Sequence, residues 1–390
     1  MLAGGSEARF VARALAVLVA AVLVTGVAGA EGLSGSPGMR PAASPGPEPD
    51  RFLSGRPDKF LSVYPDKFLS VYMDPNGRIV RRDQGGDTVS EGQAYGMLIA
   101  AATGDGGDFN TIWSWTQHHL QRPDALLAWH WDNGRVVDQM PASDADIDAA
   151  WALAVASGRF GSAVLAQDAG RIAASVLTEE TEVTPIGRIL VAGPWAMPSR
   201  IAEPGYLAPE AFTILYQLTG DPGWSQLEST SLQLLLRAMF GHRLPADWVS
   251  VSTSGAVEPI PPPSHAGSLV SYGLGAARVA TWWASSCVKA ERDVASNEWP
   301  LLAPAARSGA FDVSLTLSGQ PQSPAVNAAM AVGDGMAAVA AGDRAEADPL
   351  LASASRLDRR YPTYYGDAWV ALSRLLTTTD RLGGCPPMKE

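Results

Sequence analysis

The sequence predicts an all-α fold of about a dozen helices in one domain, arranged as a closed double ring. Apolar residues recur at three- and four-residue spacing along most of the chain, as at Ile214, Leu215 and Leu218, which marks helices with one buried face. The intervening segments carry helix-breaking Gly, Pro, Asp and Asn, as in Gly104-Asp105-Gly106-Gly107 and Gly220-Asp221-Pro222. No run of strands alternates with helices in the way a parallel sheet demands.

The chain has 390 residues, enough for one large domain or two small ones with an ample core. Hydrophobic residues make up 46% and charged residues 18%, and the formal net charge is −11. That balance excludes nucleic acid as the partner, because phosphate binding needs clustered Lys and Arg. Twelve Trp, nine Tyr and nine Phe supply many large flat side chains. Two cysteines are too few for a disulfide-rich scaffold or a four-thiolate zinc site.

Arg9 and Arg13 precede an uncharged run from Ala14 to Ala30 that ends in Ala28-Gly29-Ala30. Residues 1–30 therefore read as a cleaved export signal or an N-terminal membrane anchor, and both place the rest of the chain outside the cytoplasm. In an oxidising compartment Cys287 and Cys385 are candidates for a single disulfide. Residues 31–50 are dense in Pro, Gly and Ser, as expected of a linker. PDKFLSVY then occurs at 57–64 and again at 65–72. This is a local duplication and too short for a solenoid repeat. The second copy is expected to dock as the first helix through Phe68, Leu69 and Tyr72, with the first copy extending the linker to residue 65. Residues 66–390 remain as one domain. Helices are predicted near 89–103, 109–120, 144–158, 162–177, 208–219, 223–241, 268–286, 297–308, 323–341, 345–357 and 363–377. Short strands are predicted at 76–82 and 247–252.

Several chemistries are unsupported. The sequence holds no GxSxG elbow, no GxGxxG after a strand and no Walker-type phosphate loop. The five His residues (118, 119, 130, 242 and 265) lack ligand spacing, so no metal or other cofactor is predicted. Carboxylates and aromatics remain. Glu91 lies in Thr88-Val89-Ser90-Glu91-Gly92-Gln93-Ala94-Tyr95-Gly96-Met97, and Asp144, Asp146 and Asp148 alternate at the start of another helix. Each segment has a local reading, since Thr88 to Glu91 and Ser143 to Asp146 both fit a capping box. Trp113, Trp115, Trp129 and Trp131 lie between the two segments. Flat aromatic faces of this kind stack on sugar rings, while about half of the Trp residues are expected to pack the core.

With these residues in place, the chain from about Asp66 to Leu376 resembles the family 8 glycoside hydrolases, bacterial endoglucanases that include the cellulases associated with cellulose synthesis. SEGQAYGM at 90–97 looks like the family's segment holding the general acid. PASDADIDAAWAL at 141–153 resembles its A-[ST]-D-[AG]-D signature, with Phe160 at the far end. Gly205-Tyr206-Leu207-Ala208-Pro209 is similar to its P-S-Y-L-x-P segment, and Tyr364-Tyr365 to its aromatic pair lining the cleft. The resemblance implies an (α/α)6 barrel with a cleft across one end that binds a β-1,4-linked glucan. It also implies an inverting mechanism in which an acid and a base stand far enough apart to admit water. It casts Glu91 as the acid and Asp144 as nucleophile or as the grip on the central sugar. Tyr95, Trp129, Trp131, Asp146, Tyr206, Arg278, Tyr364 and Tyr365 become candidate substrate contacts. Xylan, mixed-linkage glucan and chitosan remain alternative substrates within one fold.

One departure stands out. The family places its base in a segment reading Y-D-A-x-R, three residues before the Arg. Here Arg278 is present, but Gly275 stands where the aspartate belongs, and no Asp or Glu occurs between Glu258 and Glu291. Three readings follow: another carboxylate such as Asp144 or Asp146 activates water, the protein binds glucan with impaired hydrolysis, or this copy is degraded.

Overall fold

A computed structural model describes residues 65–388 except Ala266. The proposed export segment, the Pro-rich linker and the first octapeptide copy lie outside the described residues. Twelve α-helices occur among those described. They are α1 (Pro65–Tyr72), α2 (Ser90–Thr103), α3 (Gly106–His119), α4 (Ser143–Phe160), α5 (Ala163–Glu179) and α6 (Pro209–Thr219). The second half supplies α7 (Pro222–Ala238), α8 (Ala277–Ala284), α9 (Lys289–Ser308), α10 (Ala328–Ala340), α11 (Arg344–Arg360) and α12 (Tyr364–Thr378).

The even-numbered helices pack in sequence, α2 on α4, α4 on α6, α6 on α8, α8 on α10, α10 on α12, and α12 back on α2. The odd-numbered helices lie outside this ring, each against an inner neighbour. The result is an (α/α)6 barrel. Composition explains which helix goes where. Inner helices are apolar or small on nearly every face, and α2 is buried continuously from Gly92 to Ala102. An outer helix such as α11 buries one stripe, including Ala347, Leu350 and Ala354, and exposes most of its charges, Asp358 excepted. An aromatic column fills the ring: Trp282 of α8 meets Trp151 of α4 and Trp369 of α12 edge-on, and Trp369 meets Tyr95 of α2. Much of the Trp surplus is therefore core.

The second octapeptide forms α1 and buries Phe68, Leu69 and Tyr72. Lys67 ties it down with ion pairs to Asp358 of α11 at 2.5 Å and Asp367 of α12 at 2.6 Å. Short strands occupy the loops. They are β1 (Thr88–Val89), β2 (His130–Asp132), β3 (Arg135–Asp138), β4 (Thr181–Thr184), β5 (Gly187–Leu190), β6 (Ile201–Ala202), β7 (Trp248–Val251), β8 (Val257–Ile260), β9 (Tyr272–Gly273) and β10 (Ser314–Leu315). They form small antiparallel sheets of order β1-β2-β3, β4-β5, β6-β7-β8 and β9-β10.

Three expectations need correction. The segment 76–82 forms isolated bridges at Ile79 and Arg81 and then a short 3₁₀ turn, not a strand. The helix expected over 268–286 is confined to Ala277–Ala284, because the Asp247 carboxylate accepts hydrogen bonds from Gly273 N and Ala276 N and holds that backbone out of helical form. Helix α9 begins at Lys289, well before the expected 297. Its first two turns are mainly charged or small and show little apolar period.

A disulfide joins Cys287 to Cys385 across 98 residues and fixes the C-terminal segment to the end of α8. Cys385 N also donates to Ser285 O at 2.8 Å. Closing a loop of this length removes unfolded-state freedom. Cys287→Ser is therefore expected to lower the unfolding free energy by about 4 kcal/mol in urea. A change under about 1 kcal/mol would show that the tail is held by packing alone.

Candidate active site

Each inner helix follows an outer one through a reversal, so the inner helices run in one direction and their N-termini gather at one end of the barrel. Glu91 lies in the first turn of α2, Asp144 in the first turn of α4 and Arg278 in the first turn of α8. Positive helix ends favour carboxylates there. Neither capping box forms. Thr88 Oγ1 donates to Ile79 O and Ser143 Oγ to Val191 O, so both hydroxyls bind neighbouring loops. Glu91 is thereby free to face the barrel end.

Arg278 is the hub. Its Nη1 donates to Asp144 Oδ2 at 2.9 Å, Glu91 Oε1 at 3.2 Å and Tyr95 Oη at 3.2 Å, and its Nη2 to Glu203 Oε1 at 2.8 Å. The guanidinium also stacks on the Tyr206 ring, 4.7 Å from its centroid. Tyr95 Oη donates to Glu91 Oε1 at 2.9 Å. Both donors to Glu91 reach Oε1, which leaves Oε2 to carry a proton. Burial, helped by the Asp144 charge and opposed by Arg278 and Tyr95, pushes the Glu91 carboxyl up to about 7.

Glu203 escaped the sequence reading. It follows β6, which pairs with β7 in the register Ile201↔Ser250 and Ala202↔Val249. That ladder brings Glu203 beside Asp247, the residue before β7. Asp247 Oδ1 accepts from Gly273 N at 3.0 Å and Ala276 N at 2.8 Å, and Oδ2 accepts from Ser271 Oγ at 3.1 Å. These bonds place Gly275 against both carboxylates. A Cβ at 275 would sit 3.2 Å from Asp247 Oδ1, 3.3 Å from Glu203 Cδ and closer still to Glu203 Oε1. Burial pushes Glu203 up to about 8, with Asp144 and Asp247 adding to the shift and Arg278 opposing it.

Most of the sequence-derived residues surround this hub. Tyr365 Oη donates to Leu274 O at 3.2 Å, above the Gly275 turn. Trp129 O accepts from Ser90 N at 2.9 Å, and Trp131 pairs with Thr88, so β2 lies along the start of α2. Trp131 is partly exposed, flanked by Trp115 and by the Arg78 guanidinium 4.2 Å from its ring centroid.

Two residues lie elsewhere. Asp146 is fully buried behind the site, where its Oδ1 accepts from Leu127 N at 2.7 Å. Burial pushes both Asp146 and neighbouring Glu180 well above the usual carboxylate range, as expected of neutral structural acids. Tyr364 points into the core, packing on Phe68 and Tyr72 and abutting Gly92. Both side chains are shut off from solvent. Helical spacing alone does not separate Asp144 from Asp146, since both sit in one turn. Gln93, within the same motif as Glu91, is fully buried and ties Ile79 N, Gly77 O and Thr116 Oγ1 together.

The sequence model of glycosyl hydrolases family 8 matches residues 64–296. A probable endoglucanase of Novacetimonas hansenii is 36% identical over 188 residues, 46% of this chain and 54% of that protein. The chain thus spans about half the length of the curated relatives it matches. The solved endo-β-1,4-glucanase CMCax of Acetobacter xylinum superimposes with a TM-score of 0.68 at 25% identity, covering 81% of this chain and 97% of that one. A β-1,3-1,4-glucanase from Paenibacillus sp. X4 shares the fold, with a TM-score of 0.72 at 18% identity over 81% of this chain and 90% of that one.

Gly205 lets the hub close. A Cβ there would lie 3.1 Å from Arg278 Nε, 2.8 Å from Gly275 C and closer still to Gly275 O. Gly205→Ala is expected to cost about 1–3 kcal/mol and lower the melting temperature. Gly170→Ala, on α5 with nothing within 4 Å of the added carbon, should be neutral or stabilising. Equal melting of the two variants would show that the approach of Gly205 to Gly275 is not close.

Proposed function

Since the chain belongs to family 8 of the glycosyl hydrolases, we propose that it is an exported endo-β-1,4-glucanase that cleaves cellulose-like glucan with inversion. The observation that carries the reading is the pairing of a buried, protonatable Glu91 with a second carboxylate, Asp144, on one guanidinium at one end of the barrel. The relatives named as endoglucanases, and the β-1,4-glucanase of similar structure, favour a β-1,4-linked glucan over xylan or chitosan.

Each residue has a task in this reading. Glu91 Oε2 gives its proton to the leaving glycosidic oxygen. A carboxyl raised to about 7 still holds that proton near neutral pH. Tyr95 and Arg278 load Oε1 with donors and so fix which oxygen is acidic. Asp144 accepts from hydroxyls of the sugar at the cleavage point, held in place by its bond from Arg278. Trp131 and Tyr365, the partly exposed members of the aromatic set, supply flat faces for sugar rings. The export segment at 1–30, cleaved or retained as an anchor, delivers the enzyme to an extracytoplasmic polymer. Among the described residues no helix is long and apolar enough to cross a membrane.

Reducing-sugar release from a soluble β-1,4-glucan tests the reading. Glu91→Gln should lower kcat by about 10²–10⁴-fold while glucan affinity stays near wild type. The wild-type rate should fall as pH rises beyond about 8, where Glu91, raised to about 7, has lost its proton. A Glu91→Gln variant with wild-type turnover would contradict it.

A further inference from the structure

We propose that Glu203 is the general base of this chain, acting from the space that an aspartate at position 275 would occupy. The assignment rests on the endoglucanase reading and deepens it. A Cβ built on Gly275 collides with the Glu203 carboxylate, so the two positions compete for one volume. Glu203 reaches that volume from the β6 end, a different segment of the chain. Its Oε1 binds Arg278 Nη2, whereas Glu91 binds Nη1 of the same guanidinium. The bonds of 2.8 and 3.2 Å, with the width of one guanidinium between them, cap the separation of the two oxygens at about 8 Å, below the roughly 9.5 Å upper limit of inverting carboxyl pairs.

The neighbouring acids are worse placed. Asp247 has both oxygens engaged by three donors that shape the 271–276 turn. Asp144 shares Nη1 with the acid Glu91, not Nη2 on the far side. Asp146 is shut away behind Leu127. The Glu203 side chain keeps 8% exposure, close to the 7% of Asp144 and enough for contact with a water at the hub. Gly205, two residues on, is what lets this segment press against Gly275.

In the resulting step a water oxygen bonds to the anomeric carbon as the bond from that carbon to the glycosidic oxygen breaks. The water proton passes to Glu203, and the Glu91 Oε2 proton passes to the leaving oxygen. Glu203 ends protonated and Glu91 ionised, and exchange with solvent resets both. The raised positions of the two groups, about 7 for Glu91 and about 8 for Glu203, make the productive form (Glu91 protonated, Glu203 ionised) a minor one. The pH–rate profile is expected to peak between about 7 and about 8. The charged and titratable groups facing Glu203 are Arg278, Asp144, Asp247, Tyr206 and Tyr365.

The test compares wild type, Glu203→Gln, Glu203→Ala and the double variant Glu203→Ala/Gly275→Asp on carboxymethylcellulose, with and without sodium azide. Glu203→Gln should lose about 10²–10⁴-fold in kcat with little change in glucan affinity. Azide should accelerate Glu203→Ala by attacking the anomeric carbon in place of deprotonated water, and release an α-glycosyl azide. The double variant should regain activity over Glu203→Ala, because its new carboxylate enters the vacated volume. Gly275→Asp alone should gain nothing over wild type, since Glu203 fills that volume. Full activity in Glu203→Gln alongside an inactive Glu91→Gln would overturn the base assignment and leave the endoglucanase reading standing. So would a loss that neither azide nor the double variant repairs, azide rescue of Asp247→Ala instead, or cleavage by the double variant but not by wild type. No cleavage by any of these proteins would overturn both.

Discussion

A single buried guanidinium constrains this structure more than any other group. Arg278 is almost fully excluded from solvent, and a charge in that position is tolerable only if it is paired and hydrogen-bonded. It therefore draws in Asp144 from α4, Glu91 from α2 and Glu203 from the loop after β6, while Tyr206 covers its face. Leaving a buried ion without its partner costs about 3–5 kcal/mol, so the four segments are held to one geometry. The chemistry depends on that geometry. A lysine, with one compact ammonium in place of a planar fork, would not hold two carboxylates on separate nitrogens.

The barrel supplies the setting for this pairing. Six inner helices present their N-termini to one end, where their dipoles favour the anionic forms that burial disfavours. Below that end, the Trp151, Trp282 and Trp369 column and Tyr95 fill the ring, so the floor beneath the hub is rigid. Tyr95 belongs to both layers, with its ring in the column and its hydroxyl on Glu91. The raised Glu91 carboxyl thus follows from packing as much as from local charge.

The fold was legible because helical periodicity is a local signal, and ten of the twelve described helices lie where apolar spacing or the repeated octapeptide places them. The early start of α9 and the truncated α8 escaped that signal for opposite reasons. Lys289–Ser296 has little apolar content, whereas the segment before Ala277 has it but is held extended by a carboxylate from β7's edge. Within the site, Glu91, Asp144 and Arg278 were readable from their motifs. Asp146 and Tyr364 were misplaced because neighbours in one helical turn can face the cleft or the core. Glu203 is not legible along the chain around Arg278, because it arrives there through space from 75 residues away in sequence. The local signal is its place two residues before the Gly205–Pro209 segment.

Gly275, Gly205 and Glu203 form one linked arrangement: a glycine at 275, the backbone at 205 pressed against it, and a carboxylate in the volume a side chain at 275 would enter. On this account the acid and the base approach the scissile bond from different sides of one guanidinium, with room for water between them. Proton NMR of the first products released from a β-1,4-linked oligosaccharide, before mutarotation, tests that claim most directly. The account predicts that the new reducing ends appear first as the α-anomer. Initial release of the β-anomer would mean a covalent intermediate on a nearer carboxylate, with no water between acid and base, and would contradict it.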